Sequence, residues 1–130
     1  MRGRFSRVVL IVEDDADTRI AYQEFLELLG FRVMSVATGE GALEAVRGGH
    51  IDAVLLDLSL PDADGRVLNP QLRSIAAPRE LPVMALTGHT LSADDRTKFT
   101  TVMRKPVDLD AVAAWLREVA PTCHTPGQAR

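Results

Sequence analysis

The chain has a single cysteine, Cys123, no apolar run near the roughly 18 to 20 residues that a membrane span requires, and no excess of positive charge. One cysteine cannot close an internal disulfide. Flanked by Pro121, Thr122, His124 and Pro126, it reads as part of a tail and not as a metal site or nucleophile. The apolar run Val8-Val9-Leu10-Ile11-Val12 is too short for a signal peptide and passes directly into Glu13-Asp14-Asp15, so it reads as a buried strand. A cytoplasmic location is expected. A formal net charge of -3 and a pI of about 5.6 exclude a chain whose main business is neutralising nucleic-acid phosphates. Neither nucleic acid nor membrane is an expected partner, and Arg2, Arg4 and Arg7 read as a solvated basic end.

What remains is an ordinary globular composition: 130 residues, 46% apolar and 25% charged. That length supports one core, expected over residues 1–120, with 121–130 as a flexible tail or linker. Short β-branched runs alternate with longer amphipathic ones. Strands are expected at Val8–Val12, Arg32–Val36, Ala53–Asp57, Val83–Thr87 and Thr101–Arg104. Three of them are nearly continuous hydrophobes, as in a parallel sheet covered by helices on both faces.

Helices are expected at 17–29, with Ile20, Phe25, Leu28 and Leu29 at helical spacing and Gly30 as a stop, and at 39–46 before Gly48-Gly49. A third starts near Gly65 and ends before Pro78, with Pro70 in its first turns, and the last spans 108–119 with Asp108 as N-cap. Right-handed βα alternation of this kind predicts an α/β fold with a doubly wound, five-stranded parallel sheet in the flavodoxin-like order 2-1-3-4-5. Ligands in such sheets sit beyond the carboxyl ends of the strands, where the order reverses between strands 1 and 3.

The residues at those ends carry the chemistry. The first strand runs into Glu13-Asp14-Asp15, with Asp17 close behind, and the third ends in Asp57, so at least three carboxylates converge. Such repulsion normally calls for a cation or raised pKa values. Mg²⁺ suits the set because it takes oxygen ligands and keeps several waters. Capping of the first helix is the competing reading of the acidic residues. The fourth strand ends in Thr87-Gly88, a hydroxyl beside a residue with no side chain, and the fifth leads to Lys105-Pro106. Nucleophile, metal site, hydrogen-bond donor and cation around one point are the parts that phosphoryl transfer needs.

Over residues 7–119 the sequence resembles the receiver domains of two-component response regulators. The motifs are Val-Glu-Asp-Asp at 12–15, Leu-Leu-Asp-Leu-Ser-Leu-Pro-Asp-Ala-Asp-Gly at 55–65, Leu-Thr-Gly at 86–88 and Lys-Pro at 105–106. The resemblance implies that Asp57 is the phosphoacceptor and that Mg²⁺ is held by Asp14 directly, by Glu13 mainly through water, by Asp57 and by the Ser59 carbonyl. It also implies that Lys105 offsets charge on the phosphoryl group and that Thr87 moves to bond one of its oxygens. The implied donor is a histidine kinase or histidine phosphotransfer protein. The implied output is a switched protein-binding face read by a downstream protein partner; a homodimer is compatible with the sequence but not selected by it.

Two features depart from the family. Receivers usually carry an aromatic residue three positions before the lysine; here it is Val102. The segment from Thr87 to Lys105 is roughly one helical turn short, about 5 Å, so the fourth helix, over 93–98, should be stunted. Recognition is then expected to depend on backbone or fourth-helix changes. His89 lies near the expected phosphoryl position, and Trp115 is placed at the edge of the core. Too few residues follow Val119 for an output domain, so a stand-alone regulator is expected. The alternatives are a receiver excised from a hybrid kinase or multidomain regulator, and an interaction module that works without phosphorylation. A turnover enzyme lacks support, since no catalytic triad is present.

Overall fold

The structure, a computed structural model, describes residues 7–120. The first basic residues Arg2 and Arg4, Cys123 and the 121–130 tail lie outside the described residues. Five strands and five helices alternate: β1 Val8–Val12, α1 Ala16–Leu28, β2 Arg32–Val36, α2 Gly39–Arg47, β3 Ala53–Asp57, α3 Gly65–Ala76, β4 Val83–Thr87, α4 Ala93–Arg96, β5 Thr101–Arg104 and α5 Leu109–Val119. Every sheet pairing is parallel and the order is β2-β1-β3-β4-β5, as the βα alternation predicts.

Strand composition follows position in the sheet. The apolar runs of β3 and β4 are buried along their whole length, and so is β1 after Val8, whereas the edge strands β2 and β5 have no buried residue. Because successive strand residues face opposite sides, each central strand feeds two cores. Leu10, Val12, Val54, Leu56, Val83 and Ala85 pack with α2, α3 and Phe99. Val9, Ile11, Ala53, Leu55, Met84 and Leu86 pack with α1 and α5.

The helices start where short polar side chains can accept orphan N–H groups. Asp15, Thr38, Asp64, Ser92 and Asp108 cap α1 to α5 in turn. Four expectations need correction. Of Ile20, Phe25, Leu28 and Leu29 at helical spacing, Phe25 packs partly against the core, as does Tyr22, but Ile20, Leu28 and Leu29 are exposed and Leu26 is the buried residue of α1. Pro70 is the sixth residue of α3, past the first turn; the helix runs through it, and the N–H that would have met the Arg66 carbonyl is missing. The fourth helix is even shorter than 93–98, a single turn with no buried residue, and the core contact of this segment comes from Phe99 just beyond it. Arg7 is half-buried and lies 3.9 Å from Asp52, so it is not part of a free basic end.

Candidate functional site

The site forms where β1, β3, β4 and β5 end. Past β1 the Glu13 N–H still bonds the Val36 carbonyl of β2 at 3.0 Å, which extends the ladder by one residue. Glu13 is thereby carried into the sheet edge and is 2% exposed, while Asp14 next to it is exposed. Asp57, the last residue of β3, is 1% exposed. Carboxylate oxygens of Glu13, Asp14 and Asp57 all lie within 4.8 Å of one another.

Lys105 enters from beyond β5, positioned by its own N–H on the Thr87 carbonyl at 2.8 Å. Its Nζ stands 3.2 Å from Asp57 Oδ1 and 3.8 Å from Glu13 Oε1. The Ser59 N–H donates to the same Asp57 Oδ1 at 2.9 Å, so that oxygen has a backbone donor and a cation. Ser59 itself is exposed at the rim. Burial is the largest influence on Glu13, and the Asp57 charge adds to it; against the Asp15 N–H and Lys105, they push its carboxyl from 4.5 up to about 7. One ammonium does not neutralise three carboxylates.

The group therefore fits a hard divalent cation on its own chemistry. Three carboxylates share one point, and Glu13 Oε1 is buried without a hydrogen-bond donor. Asp15 does not join the cluster: its carboxylate accepts from the Thr18 hydroxyl at 2.6 Å and the Thr18 N–H at 3.0 Å, and these bonds hold its pKa low. The capping reading of the acidic run thus applies to Asp15, while Glu13 and Asp14 belong to the site.

Thr87 is buried at the end of β4, but its hydroxyl is turned to its own loop. It donates to the His89 carbonyl at 3.2 Å and accepts the His89 N–H at 3.0 Å. The His89 side chain is exposed and lines an open cleft with Ser59, Thr87, Arg66 and Asp95. A Cβ at Gly88 would meet nothing within 4 Å, so its bareness is not what makes room in this state. Val102 is half-buried in β5 opposite Ala85 and packs against the α2/α3 core, and Trp115 packs at the edge of the other core.

Sequence reasoning missed residues that hold the loops. Arg19 reaches back from α1 to the Glu13 carbonyl. Asp62 accepts the Gly39 and Glu40 N–H groups at 2.9 and 3.3 Å, tying the loop after β3 to the start of α2. Asp62 lies within the 55–65 motif, but its role, like that of Arg19, is played on backbone atoms, which residue identity and spacing do not reveal.

A five-stranded parallel sheet with an acidic cluster and a lysine at its switch point defines a phosphoacceptor switch domain and not a classical turnover enzyme. Residues 9–116 match the model of the response regulator receiver domain, and the chain belongs to that family, which serves two-component phosphorelay signalling. Sensor protein GacS of Pseudomonas syringae pv. syringae is 35% identical over 92 residues, 68% of this chain and 10% of GacS. The chain thus spans about a tenth of that relative's length. A CheY-like receiver domain from Methylobacillus flagellatus superposes with a TM-score of 0.81 at 32% identity, covering 88% of this chain and 98% of the other. The receiver domain of sensor histidine kinase PA1611 from Pseudomonas aeruginosa PAO1, solved with a magnesium ion coordinated in its active-site cleft, gives 0.78 at 27% identity, covering 88% and 97%.

Proposed function

We propose that Asp57 accepts a phosphoryl group from a phosphohistidine of a histidine kinase or histidine phosphotransfer protein, and that the change is read by a downstream protein partner. The observation that carries this reading is the placement of Asp57: buried, 3.2 Å from Lys105 Nζ, and clustered with two further carboxylates. A carboxylate oxygen of Asp57 attacks phosphorus in line; the new P–O bond forms as the P–N bond breaks, and the imidazole leaves with the electron pair. Lys105 stays beside the acceptor and offsets charge on the transferred group. Glu13, Asp14, Asp57 and the Ser59 carbonyl would hold Mg²⁺, which when bound supplies further positive charge toward the phosphoryl oxygens. Water later attacks phosphorus, returning the free carboxylate and inorganic phosphate.

Thr87 provides the read-out. Its hydroxyl leaves the His89 backbone to donate to a phosphoryl oxygen, which frees the loop leading into the one-turn α4. With Val102 where receivers usually carry an aromatic side chain, the loop and α4 are the parts of this face left to move. No helix among the described residues is long and apolar enough to cross a membrane; we place the domain in the cytoplasm with its donors.

The test is intact-protein mass after incubation with a small phosphodonor and Mg²⁺. A gain of about 80 Da, one phosphoryl mass, that is lost in Asp57→Ala and in EDTA is the expected result. No gain in the wild type would replace this reading with an interaction module that works without phosphorylation.

A further inference from the structure

Two consecutive acidic residues cannot aim their carboxylates at one point unless the peptide between them is fixed. In this chain Glu13 is held at both of its backbone groups, and the peptide that joins it to Asp14 is held at its carbonyl. The Glu13 N–H is taken by the Val36 carbonyl at 3.0 Å, and the Glu13 carbonyl accepts from Arg19 Nη1 at 2.9 Å. The same Nη1 makes a longer contact of 3.5 Å with the Asp14 carbonyl. Arg19 lies in the first turns of α1 and is itself placed by its own N–H on the Asp15 carbonyl at 2.9 Å. Its guanidinium thus spans both carbonyls of the acidic pair without touching any of the three carboxylates that cluster.

We propose that Arg19 is a positioning residue for the metal cradle, fixing the Glu13-Asp14 peptide so that both carboxylates meet Asp57. This rests on the reading of the cluster as a divalent-cation site. Arg19 does not touch the reacting atoms; it acts through two backbone carbonyls. A planar guanidinium suits this work because its N–H groups are set in one rigid fork, whereas a lysine ammonium has to be placed by a flexible stem. Removing a group that orients metal ligands typically lowers metal affinity about 10- to 100-fold. For Arg19→Ala we expect the lower end, about tenfold, because the Val36 bond still holds the Glu13 N–H, just before that peptide.

The experiment titrates Mg²⁺ alone into the full chain by calorimetry, for wild type, Arg19→Ala, Arg19→Lys and Asp14→Asn. Thermal melts of each in EDTA run alongside. The expected result is Mg²⁺ affinity weakened about tenfold in Arg19→Ala, partly recovered in Arg19→Lys, with the EDTA melting temperatures of both close to wild type. In phosphodonor assays the Mg²⁺ concentration for half-maximal rate should rise by the same factor while the rate at saturating Mg²⁺ stays within about twofold. Wild-type affinity in Arg19→Ala overturns the proposal and leaves the cation site standing. A loss of affinity that only follows a loss of folding, with no recovery in Arg19→Lys, also overturns it. Absence of Mg²⁺ binding in the wild type removes the cation site itself, and this inference with it.

Discussion

Lys105 Nζ lies 3.2 Å from Asp57 Oδ1, and the same ammonium is 3.8 Å from Glu13 Oε1, so one cation serves two nearly inaccessible carboxylates. The lysine is about one-third exposed, at 32%, which screens part of its attraction. Replacing it leaves both acids without a cation. Lys105→Ala should therefore cost about 1–2 kcal/mol in EDTA at pH 8, read from urea melts, and should slow phosphoryl acceptance further than that loss explains. Lys105→Arg should recover stability better than rate, since its longer fork places the charge differently. Equal recovery of both would show that charge alone, and not its position, is what Lys105 supplies.

The raised pKa of Glu13 fixes the sign of a pH dependence. Folding lifts this carboxyl from 4.5 to about 7, chiefly by burial, so between those values the folded chain binds the proton more tightly than the unfolded one. Its contribution is present below pH 4.5 and is lost as pH rises to about 7, a change of about 3 kcal/mol at most. In EDTA, the melting temperature of wild type should fall relative to Glu13→Gln as pH is raised from 5 to 8. Mg²⁺ affinity should run the other way, rising about tenfold per pH unit up to about 7 and then levelling, because one proton leaves as the ion binds. Parallel melting curves for wild type and Glu13→Gln would refute this assignment.

The degree to which the site was readable from sequence follows from the same residues. All five strands and the sheet order agree with the sequence reading; β1, β3 and β4 announce themselves without periodicity because both faces are covered, and β2 and β5 by short β-branched runs between turn signals. Glu13, Asp14, Asp57 and Lys105 meet because each sits at a strand end, and topology alone brings strand ends together. The inward face of α1 was not readable in this way. With Ile20, Tyr22, Phe25, Leu26, Leu28 and Leu29 spread around the helix, more than one apolar stripe can be drawn, and only packing selects Leu26. The state of Thr87 was not readable either, since its partners are backbone atoms of His89.

Gly65 makes a sharper demand than its place at the start of α3 suggests. A Cβ there would run into Leu58 Cδ2, forcing that side chain to turn, and would stand 3.2 Å from Leu58 Cα, so the backbone just after Asp57 must also give slightly. Gly65→Ala should cost about 1–3 kcal/mol and weaken Mg²⁺ binding, since the displaced loop carries Ser59 and its bond to Asp57. Gly88→Ala, with nothing within 4 Å, is the matched control and should melt within about 0.5 kcal/mol of wild type. Measured by urea melts and Mg²⁺ titration, equal effects at the two positions would contradict the close approach at Leu58.

The one-turn α4 has little to hold it except α3. Arg66, Asn69 and Arg73, on one face of α3, reach in turn the Asp95 carboxylate at 3.0 Å, the Lys98 carbonyl, and the Thr100 hydroxyl at 2.9 Å. Asn69 is 2% exposed, so its bond has no water to replace it, whereas the Arg66–Asp95 pair is open to solvent. Asn69→Ala should cost about 1–2 kcal/mol, toward the lower end because its Oδ1 is buried without a partner; Arg66→Ala should cost under about 1 kcal/mol. Hydrogen exchange should localise the difference: amides of residues 93–100 lose protection in Asn69→Ala, less so in Arg66→Ala, while β1 and β3 keep theirs. Unchanged protection at 93–100 in Asn69→Ala would mean that the Asn69 bond does not anchor the segment, and that Phe99 with the Arg66 and Arg73 contacts sets how far the switch region can move.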